Sequence, residues 1–347
     1  MYAVAGRLDP DSYRELATAV YGEMVAAGIT TVGEFHYLHH QADGTPYDDP
    51  NAMGHALIDA AQAAGIRISL LDTAYLSSGF GAPVEGVQRR YSDGDIDGWA
   101  ERVGAIGERE GAYIGAAIHS VRAVPPEQMR RMTATRLHVH LSEQRVENEA
   151  CLAHHAMTPT QVLLEAGQLG EHTTVVHATH LTAEDVATLG AMRTNACFCP
   201  TTERDLGDGI GPSRALHDAG APLTLGSDSH AVVDLFEEMR AVELDHRLAT
   251  EERGHWSAAE LLEAATRHGS LGFDDAGAIA VGRRADLVTV ATDTPSTAGT
   301  GADEQTAVFA ATAADVTHVV NDGRVVYAGD RAEVGHRLAE AIERVWA

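Results

Sequence analysis

Three short polar clusters in this sequence each follow a run of apolar residues, and their side chains are of the types that bind metals and move protons. The first cluster runs from His138 to Glu143, the second begins at His177, and the third centres on Asp228. Imidazole and carboxylate groups are zinc ligands, and a carboxylate can also accept a proton from a metal-bound water. Together the clusters predict a functional site built on a metal ion and a water molecule.

Each cluster taken alone also has a structural interpretation. Alternation along a strand places His138 and His140 on the same side, but a histidine in an apolar strand is usually a hydrogen-bonded core residue. His177 also fits a helix-capping loop, and Asp228 fits an ordinary Asx turn. The functional interpretation is favoured because all three clusters stand at carboxyl ends of predicted strands, where barrels of alternating strands and helices build their active sites.

The elements that position these clusters are short apolar strands alternating with helical segments, from Asp9 to Ser229. This pattern predicts a parallel sheet that helices bury on both faces, an α/β fold of the TIM-type barrel class. Seven strands are predicted, at Thr30 to Phe35, Ile66 to Leu71, Ala112 to Ile118, Leu137 to Leu141, Thr173 to His177, Thr194 to Cys199 and Leu223 to Gly226. Helices are predicted before and between them, at Asp11 to Ala27, Met53 to Ala64, Gly98 to Glu110, Pro126 to Thr135, Pro159 to Leu169, Ala183 to Met192 and Pro212 to Ala219.

The pattern changes after Asp228. Two consecutive helices are predicted there, at Val233 to Leu248 and Ala258 to His268. Strands at 276–290 and 315–327, the second with an Asn-Asp-Gly hairpin turn, predict a small β appendage. A final helix follows at 332–346. We therefore expect a barrel at 1–270, a small β domain at 271–330 and a C-terminal helix at 331–347.

Composition limits the classes of partner. The 347 residues carry a formal net charge of −26, and all the basic residues are arginine. This argues against binding to nucleic acid or to an acidic membrane, since both need basic patches. Three cysteines are too few for a disulfide framework, and the sequence contains no signal-length or membrane-spanning apolar segment. A soluble, cytoplasmic protein is expected.

The clusters also resemble the amidohydrolase superfamily, whose barrel deaminases carry His-x-x-Glu on strand five, His on strand six and Asp on strand eight. His140, Glu143, His177 and Asp228 stand in that order. Within the superfamily the chain resembles the formimidoylglutamate deiminases. Five local strings carry this likeness, at 33–40, 78–81, 119–124, 199–209 and 226–230, and a sixth at 282–288 is similar to the superfamily's small β domain.

The resemblance implies an activity and a set of roles. The reaction would be zinc-dependent hydrolysis of N-formimidoyl-L-glutamate to N-formyl-L-glutamate and ammonia, a step of histidine degradation. Zn²⁺ would be held by His140 and Asp228, and catalysis would involve Glu143, His177 and Asp228. The substrate would contact Tyr37, His119 and Arg122, whereas His36, His39 and His40 would be structural. The expected partner is this small-molecule substrate, and a homodimer is left open.

One part of the family pattern is not found. In the family, a first barrel strand ending in a metal-binding His-x-His precedes the first helix, and this chain begins after that point. We therefore expect a barrel without its first strand, with two open sheet edges and a partial β-sandwich. We also expect weak zinc binding, in which His177 or His138 stands in as a ligand. Two alternatives remain, namely another amidohydrolase deaminase acting on a purine or cyclic amidine, and a catalytically silent barrel.

Overall fold

The structure is a computed structural model that describes residues 2–229 and 231–347. Within those residues the centre of the fold is a seven-stranded parallel sheet in the order β1-β2-β3-β4-β5-β6-β7. The strands are β1 Thr31–His36, β2 Arg67–Ala74, β3 Ala112–Ile118, β4 Leu137–Leu141, β5 Thr173–His177, β6 Asn195–Phe198 and β7 Leu223–Leu225. Most of their residues are buried, as expected of a sheet covered on both faces. The predicted seven strands and the parallel α/β fold are confirmed.

Helices connect and cover the strands. They are α1 Tyr2–Ala5, α2 Pro10–Ala26, α3 Ala52–Ala64, α4 Ile96–Gly104, α5 Pro126–Met129, α6 Arg145–His155, α7 Pro159–Glu165, α8 Ala183–Ala191, α9 Pro200–Leu206, α10 Ser213–Ala219, α11 Leu235–Thr250, α12 Ala258–Ala265, α13 Glu304–Phe309 and α14 Arg331–Trp346. Short 3-10 helices span Gly86–Tyr91, His268–Leu271 and Ala313–Asp315. The side chains of Thr158, Thr182 and Ser257 each accept a backbone N–H in the first turn of α7, α8 and α12, which explains where these helices begin. None of the helices in the described residues is both long and apolar enough to cross a membrane.

The outer strands of the large sheet are β1 and β7, and the described residues form no ladder between them. The two predicted open edges are therefore present at these strands. A cavity of about 490 Å³ is lined by residues of both edges, among them Val32 and Leu225, and also by His140, Cys199 and Asp228. The open side of the sheet thus leads to the carboxyl ends of β4, β6 and β7.

A second sheet contains three antiparallel strands in the order β10-β9-β8. Its strands are β8 Leu287–Val290, β9 Val316–Asn321 and β10 Arg324–Tyr327, and the predicted hairpin turn joins the last two. The buried Arg67 of β2 ties this sheet to the barrel, because its guanidinium donates to Asp286 and to the side chain of Asn321. The domain limits at 270 and 330 stay predictions.

Some predicted elements are wrong. The strand predicted at 276–290 is formed only by β8, because Gly277 and Gly282 adopt positive φ and the apolar side chains between them, Ile279 and Val281, are exposed. The helix predicted at 98–110 ends at Gly104, and the one predicted at 126–135 is the single turn α5. Sequence patterning also missed α6 and α9. Only one α6 side chain is buried, so α6 has no apolar stripe to reveal it.

Candidate active site

The three polar clusters meet at the carboxyl ends of β4, β5 and β7. His177 Nε2 lies 3.8 Å from Glu143 Oε1 and 3.7 Å from Asp228 Oδ2. The His177 side chain is 1% exposed, whereas those of Glu143 and Asp228 are 25% and 31% exposed. The structure therefore brings the three predicted catalytic residues together, with a buried imidazole behind two accessible carboxylates.

The backbone is strained at the same strand ends. Ser142, His177, Ala178 and Asp228 have φ values of 52°, 68°, 49° and 48°, in the left-handed region that non-glycine residues rarely occupy. Each such residue costs on the order of 1–3 kcal/mol, and such residues cluster at active sites. The strain thus coincides with positions that were predicted to carry the chemistry.

Glu203, in the first turn of α9, fixes the orientation of His177. Its Oε1 accepts hydrogen bonds from the Cys199 backbone N–H at 2.8 Å and from His177 Nδ1 at 3.3 Å. Burial opposes a charge on the imidazole, but the hydrogen bond to Glu203 and the carboxylates of Glu143 and Asp228 raise the pKa of His177 from 6.5 to about 9. In the metal-free protein His177 is therefore a cation at neutral pH.

His140 and His138 lie on the same side of β4, as predicted, but have different surroundings. His140 Nδ1 donates to the His119 carbonyl at 2.8 Å, so its Nε2 carries the lone pair of a neutral ring. Burial, together with His177, lowers the pKa of His140 to about 4. His138 Nε2 instead donates to the Ser270 carbonyl. His138 also lines the cavity that contains His140 and Asp228, but it belongs to neither described group of potential ligand atoms, so its role as a substitute metal ligand stays a prediction.

The three predicted substrate-binding residues form one hydrogen-bonded chain beside His140. Arg122 donates to His119 Nε2 at 3.0 Å, and His119 Nδ1 lies 2.9 Å from the Tyr37 hydroxyl. Because a guanidinium can only donate, Nε2 accepts and Nδ1 bears the hydrogen, which it donates to Tyr37. Burial, with His140 and Arg122 nearby, holds the pKa of His119 well below 6.5 and keeps it neutral. The Tyr37 hydrogen is then free to be donated to a ligand.

Two glutamates near Arg122 have carboxyl groups with raised pKa values. Burial raises the pKa of Glu143 above its ordinary value. Glu147 lies in the first turn of α6, and burial raises its pKa to about 7. A carboxyl group whose pKa approaches neutrality can both give and take a proton during turnover.

The site contains ligands for a metal ion. A ring nitrogen of His177, the Sγ of Cys199 and a carboxylate oxygen of Asp228 lie within 4.8 Å of one another. Imidazole, thiolate and carboxylate are the ligands that zinc uses in proteins, so this set fits a divalent transition metal. The His140 ring lies 5.6 Å from that of His177, between centroids, and its role as a ligand stays a prediction. His230, part of the string at 226–230, lies outside the described residues.

The histidines that follow β1 form a separate buried group with Asp72. His36, His39 and Asp72 place potential ligand atoms within 4.8 Å of one another. Arg102, however, binds both oxygens of Asp72, at 2.7 and 2.8 Å, and His39 Nε2 donates to the Thr73 carbonyl. A metal cation beside this guanidinium would be repelled, which favours the structural role predicted for these histidines.

Sequence reasoning gave no role to Glu203, Cys199 or Glu147, although the structure places all three at the site. Cys199 and Glu203 belong to a string already used for the family resemblance, and their fixed spacing was the available signal. Glu147 lies in the first turn of α6, whereas Glu143 precedes that helix. Helical spacing therefore gave no signal for Glu147.

Comparison with known proteins places the chain in a family. Residues 2–326 match the amidohydrolase family. Formimidoylglutamate deiminase from Pseudomonas aeruginosa is 34% identical over 99% of this chain and 80% of its own length. A 5-methylthioadenosine/S-adenosylhomocysteine deaminase from Pelotomaculum thermopropionicum is 28% identical over 94% of this chain and 72% of its own.

Solved structures agree. An amidohydrolase from Brucella melitensis superposes with a TM-score of 0.87 at 29% identity, covering all of this chain and 82% of that one. Atrazine chlorohydrolase from Arthrobacter aurescens, complexed with zinc, gives 0.81 at 25% identity, covering 98% of this chain and 78% of that one. The match over almost the whole chain and the shared fold lead to one conclusion: the chain belongs to the amidohydrolase family, as a deaminase-type hydrolase of C–N bonds.

Proposed function

We propose that the protein hydrolyses N-formimidoyl-L-glutamate to N-formyl-L-glutamate and ammonia, with zinc as its metal. The observation that carries this proposal is the chain formed by Tyr37, His119 and Arg122, which ends in a guanidinium beside the catalytic cluster. The similarity to a formimidoylglutamate deiminase supports the same substrate.

Substrate recognition depends on local charge. The substrate carries two carboxylates, and a protein with a net charge of −26 repels it at long range. Arg122 supplies a cation at the site, and a guanidinium binds a carboxylate through paired hydrogen bonds. The Tyr37 hydroxyl, whose oxygen accepts from His119, donates its own hydrogen to the bound substrate. These two groups hold the glutamate part while the formimidoyl carbon faces Glu143.

Hydrolysis moves two protons from the attacking water to the imino nitrogen. The first moves when the water adds to the formimidoyl carbon, and the second moves when the hydroxyl of the adduct becomes the product carbonyl and ammonia leaves. A zinc ion bound by Asp228 and His140 would act as a Lewis acid and lower the pKa of water. Asp228 accepts the proton of the attacking water. His177, held by Glu203, donates a hydrogen bond from Nε2 and stabilises negative charge on the attacking oxygen. Glu143 protonates the leaving nitrogen, so that the C–N bond breaks and ammonia departs instead of an amide anion.

The test is ammonia release from several substrates by the zinc-supplied protein. We expect N-formimidoyl-L-glutamate to be turned over in preference to guanine, cytosine and 5-methylthioadenosine. The variant Glu143→Gln should lose about 10²–10⁴ in kcat, the usual contribution of a general acid or base. Glu149→Gln, on the exposed side of α6, is the matched control and should retain activity.

Two results would contradict the proposal. Preferential release of ammonia from a purine would assign the site to a different deaminase. No release from any of these substrates, with zinc added and the protein folded, would favour the silent barrel.

A further inference from the structure

Cys199 is a buried thiol at the metal-binding end of the barrel. It directly follows β6, and its side chain lines the same cavity as His140 and Asp228. The residue is 2% exposed. Its Sγ, a ring nitrogen of His177 and a carboxylate oxygen of Asp228 all lie within 4.8 Å of one another. None of the catalytic steps proposed for this site uses the thiol.

The neighbouring strand leaves room for the sulfur atom. The Gly226 N–H donates to the Phe198 carbonyl at 3.0 Å, so the chain after β7 lies directly beside Cys199. A Cβ atom at position 226 would lie only 3.1 Å from Cys199 Sγ. A larger residue would therefore push the thiol away. Gly226 brings the chain to Asp228 two residues later, and so allows the thiol and the carboxylate to approach each other.

The distances suit a shared ion. Zinc binds sulfur at about 2.3 Å and carboxylate oxygen at about 2.0 Å, which in tetrahedral geometry separates the two donors by roughly 3.5 Å. The Cys199 sulfur and the Asp228 carboxylate oxygen lie within 4.8 Å of each other, so a small rotation of either side chain brings them to that separation. A sulfur atom on the far side of the barrel would not meet this condition.

The chemistry of a thiol suits this position. A thiol that coordinates a divalent cation does so as the thiolate, so a metal held here would be bound by the Cys199 sulfur together with the Asp228 carboxylate.

We propose that Cys199 is a protein ligand of the metal in this chain and binds the same ion as Asp228. This inference rests on the proposed metal-dependent function and deepens it. A thiolate ligand selects zinc, cobalt or cadmium over magnesium and calcium, which prefer oxygen ligands.

The test is titration of the metal-free 347-residue chain with Co²⁺, followed by absorption spectroscopy. A thiolate bound to Co²⁺ gives an intense charge-transfer band in the near ultraviolet, and we expect this band in the unmodified protein. Cys199→Ser should abolish it, whereas Cys197→Ser and Cys151→Ser, the matched controls, should retain it. Zinc affinity of Cys199→Ser, measured by competition with a chromophoric chelator, should fall by at least the roughly 10–100-fold that loss of an outer hydrogen-bond partner costs.

Absence of the band from the unmodified protein at saturating Co²⁺ overturns the proposal, whether or not the variant folds. Persistence of the band in folded Cys199→Ser overturns it as well. The spectrum requires no substrate, so the two proposals fail separately. If the protein deiminates the substrate but shows no thiolate band, only the proposal that Cys199 is a metal ligand is rejected. If the band is present but no ammonia is released, only the proposed substrate is rejected.

Discussion

Replacing Glu203 by glutamine tests whether this carboxylate holds His177 as an oriented cation. The amide oxygen of glutamine can still accept the Cys199 N–H and the His177 Nδ1–H, so the variant removes charge and largely keeps shape. Burial alone disfavours the imidazolium. We therefore expect the pKa of His177 to fall in the variant.

The magnitude follows from linkage between protonation and folding. The folded-state pKa of about 9 exceeds the ordinary 6.5, so protonation of His177 contributes stability that is fully present below about pH 6.5 and is lost as the pH rises through about 9. The difference corresponds to roughly 3 kcal/mol for the metal-free protein. A hydrogen bond to a charged group contributes about 1.5–3 kcal/mol, so Glu203→Gln should lose about that much at pH 6 and little at pH 10.

The assay is denaturant unfolding of the metal-free proteins from pH 6 to pH 10, with an NMR titration of the histidine rings. Glu243→Gln is the control. Glu243 is also a buried glutamate, but it pairs with Arg247, accepts hydrogen bonds from the Gly254 and Trp256 N–H groups and does not touch His177. Although burial opposes its charge, these hydrogen bonds lower its pKa, so its charge does not change between pH 6 and pH 10. In the zinc-supplied enzyme, Glu203→Gln should lower activity about 10–100-fold, as is usual when an outer partner of a metal-site histidine is lost. An equal loss of stability for Glu203→Gln at both pH values would refute the reasoning.

Three further predictions concern single contacts. Tyr37→Phe removes the hydroxyl offered to the substrate and should lower kcat/KM by about tenfold, the equivalent of one hydrogen bond, in steady-state kinetics of ammonia release; an unchanged value would exclude a contact between Tyr37 and substrate. Asp286→Asn leaves the guanidinium of Arg67 buried without its main partner and should lower the free energy of unfolding by about 3 kcal/mol, whereas Asp322→Asn, at the more exposed partner, should lower it by less than about 1. Gly190→Ala would place a Cβ atom 2.3 Å from the Ala219 carbonyl oxygen and should destabilise the protein by about 1–3 kcal/mol. Gly22→Ala lies in the interior of α2, with no atom near the new methyl group, and should stabilise the protein by about 0.5–1 kcal/mol. Both changes are measured by denaturant unfolding.

Much of the barrel was predictable because its strands are continuous apolar runs. The bounds predicted for β3, β4 and β5 match the structure residue for residue, and the polar residues at the ends of β4 and β5 follow directly from those bounds. Helix ends were less predictable. The C-terminal ends of α4 and α5 depend on where the chain turns back to the sheet, and the hydrophobic periodicity of the sequence does not show where that happens.

The partners of His177 were not predictable in full. Glu143 and Asp228 could be placed near it because parallel strands bring their carboxyl ends to one edge of a sheet. Glu203 reaches the same imidazole because α9 begins just after β6, which lies beside β5 in the sheet, and the contact joins residues 26 positions apart in the chain. Its spacing from Cys199 was a local signal, but that spacing does not show that the carboxylate is buried against His177.

The sequence by itself determined the strand and helix order, the parallel sheet and the identity of the side chains at its carboxyl edge, because these depend on local apolar patterning. Only the tertiary structure decided which groups share the site. It gave His138 and His140 different hydrogen-bond partners, joined Tyr37 to Arg122 through His119, and brought Cys199 beside Asp228. Distances across a curved sheet, and the burial that shifts pKa values, arise from the packing of residues far apart in the chain, so no local pattern encodes them.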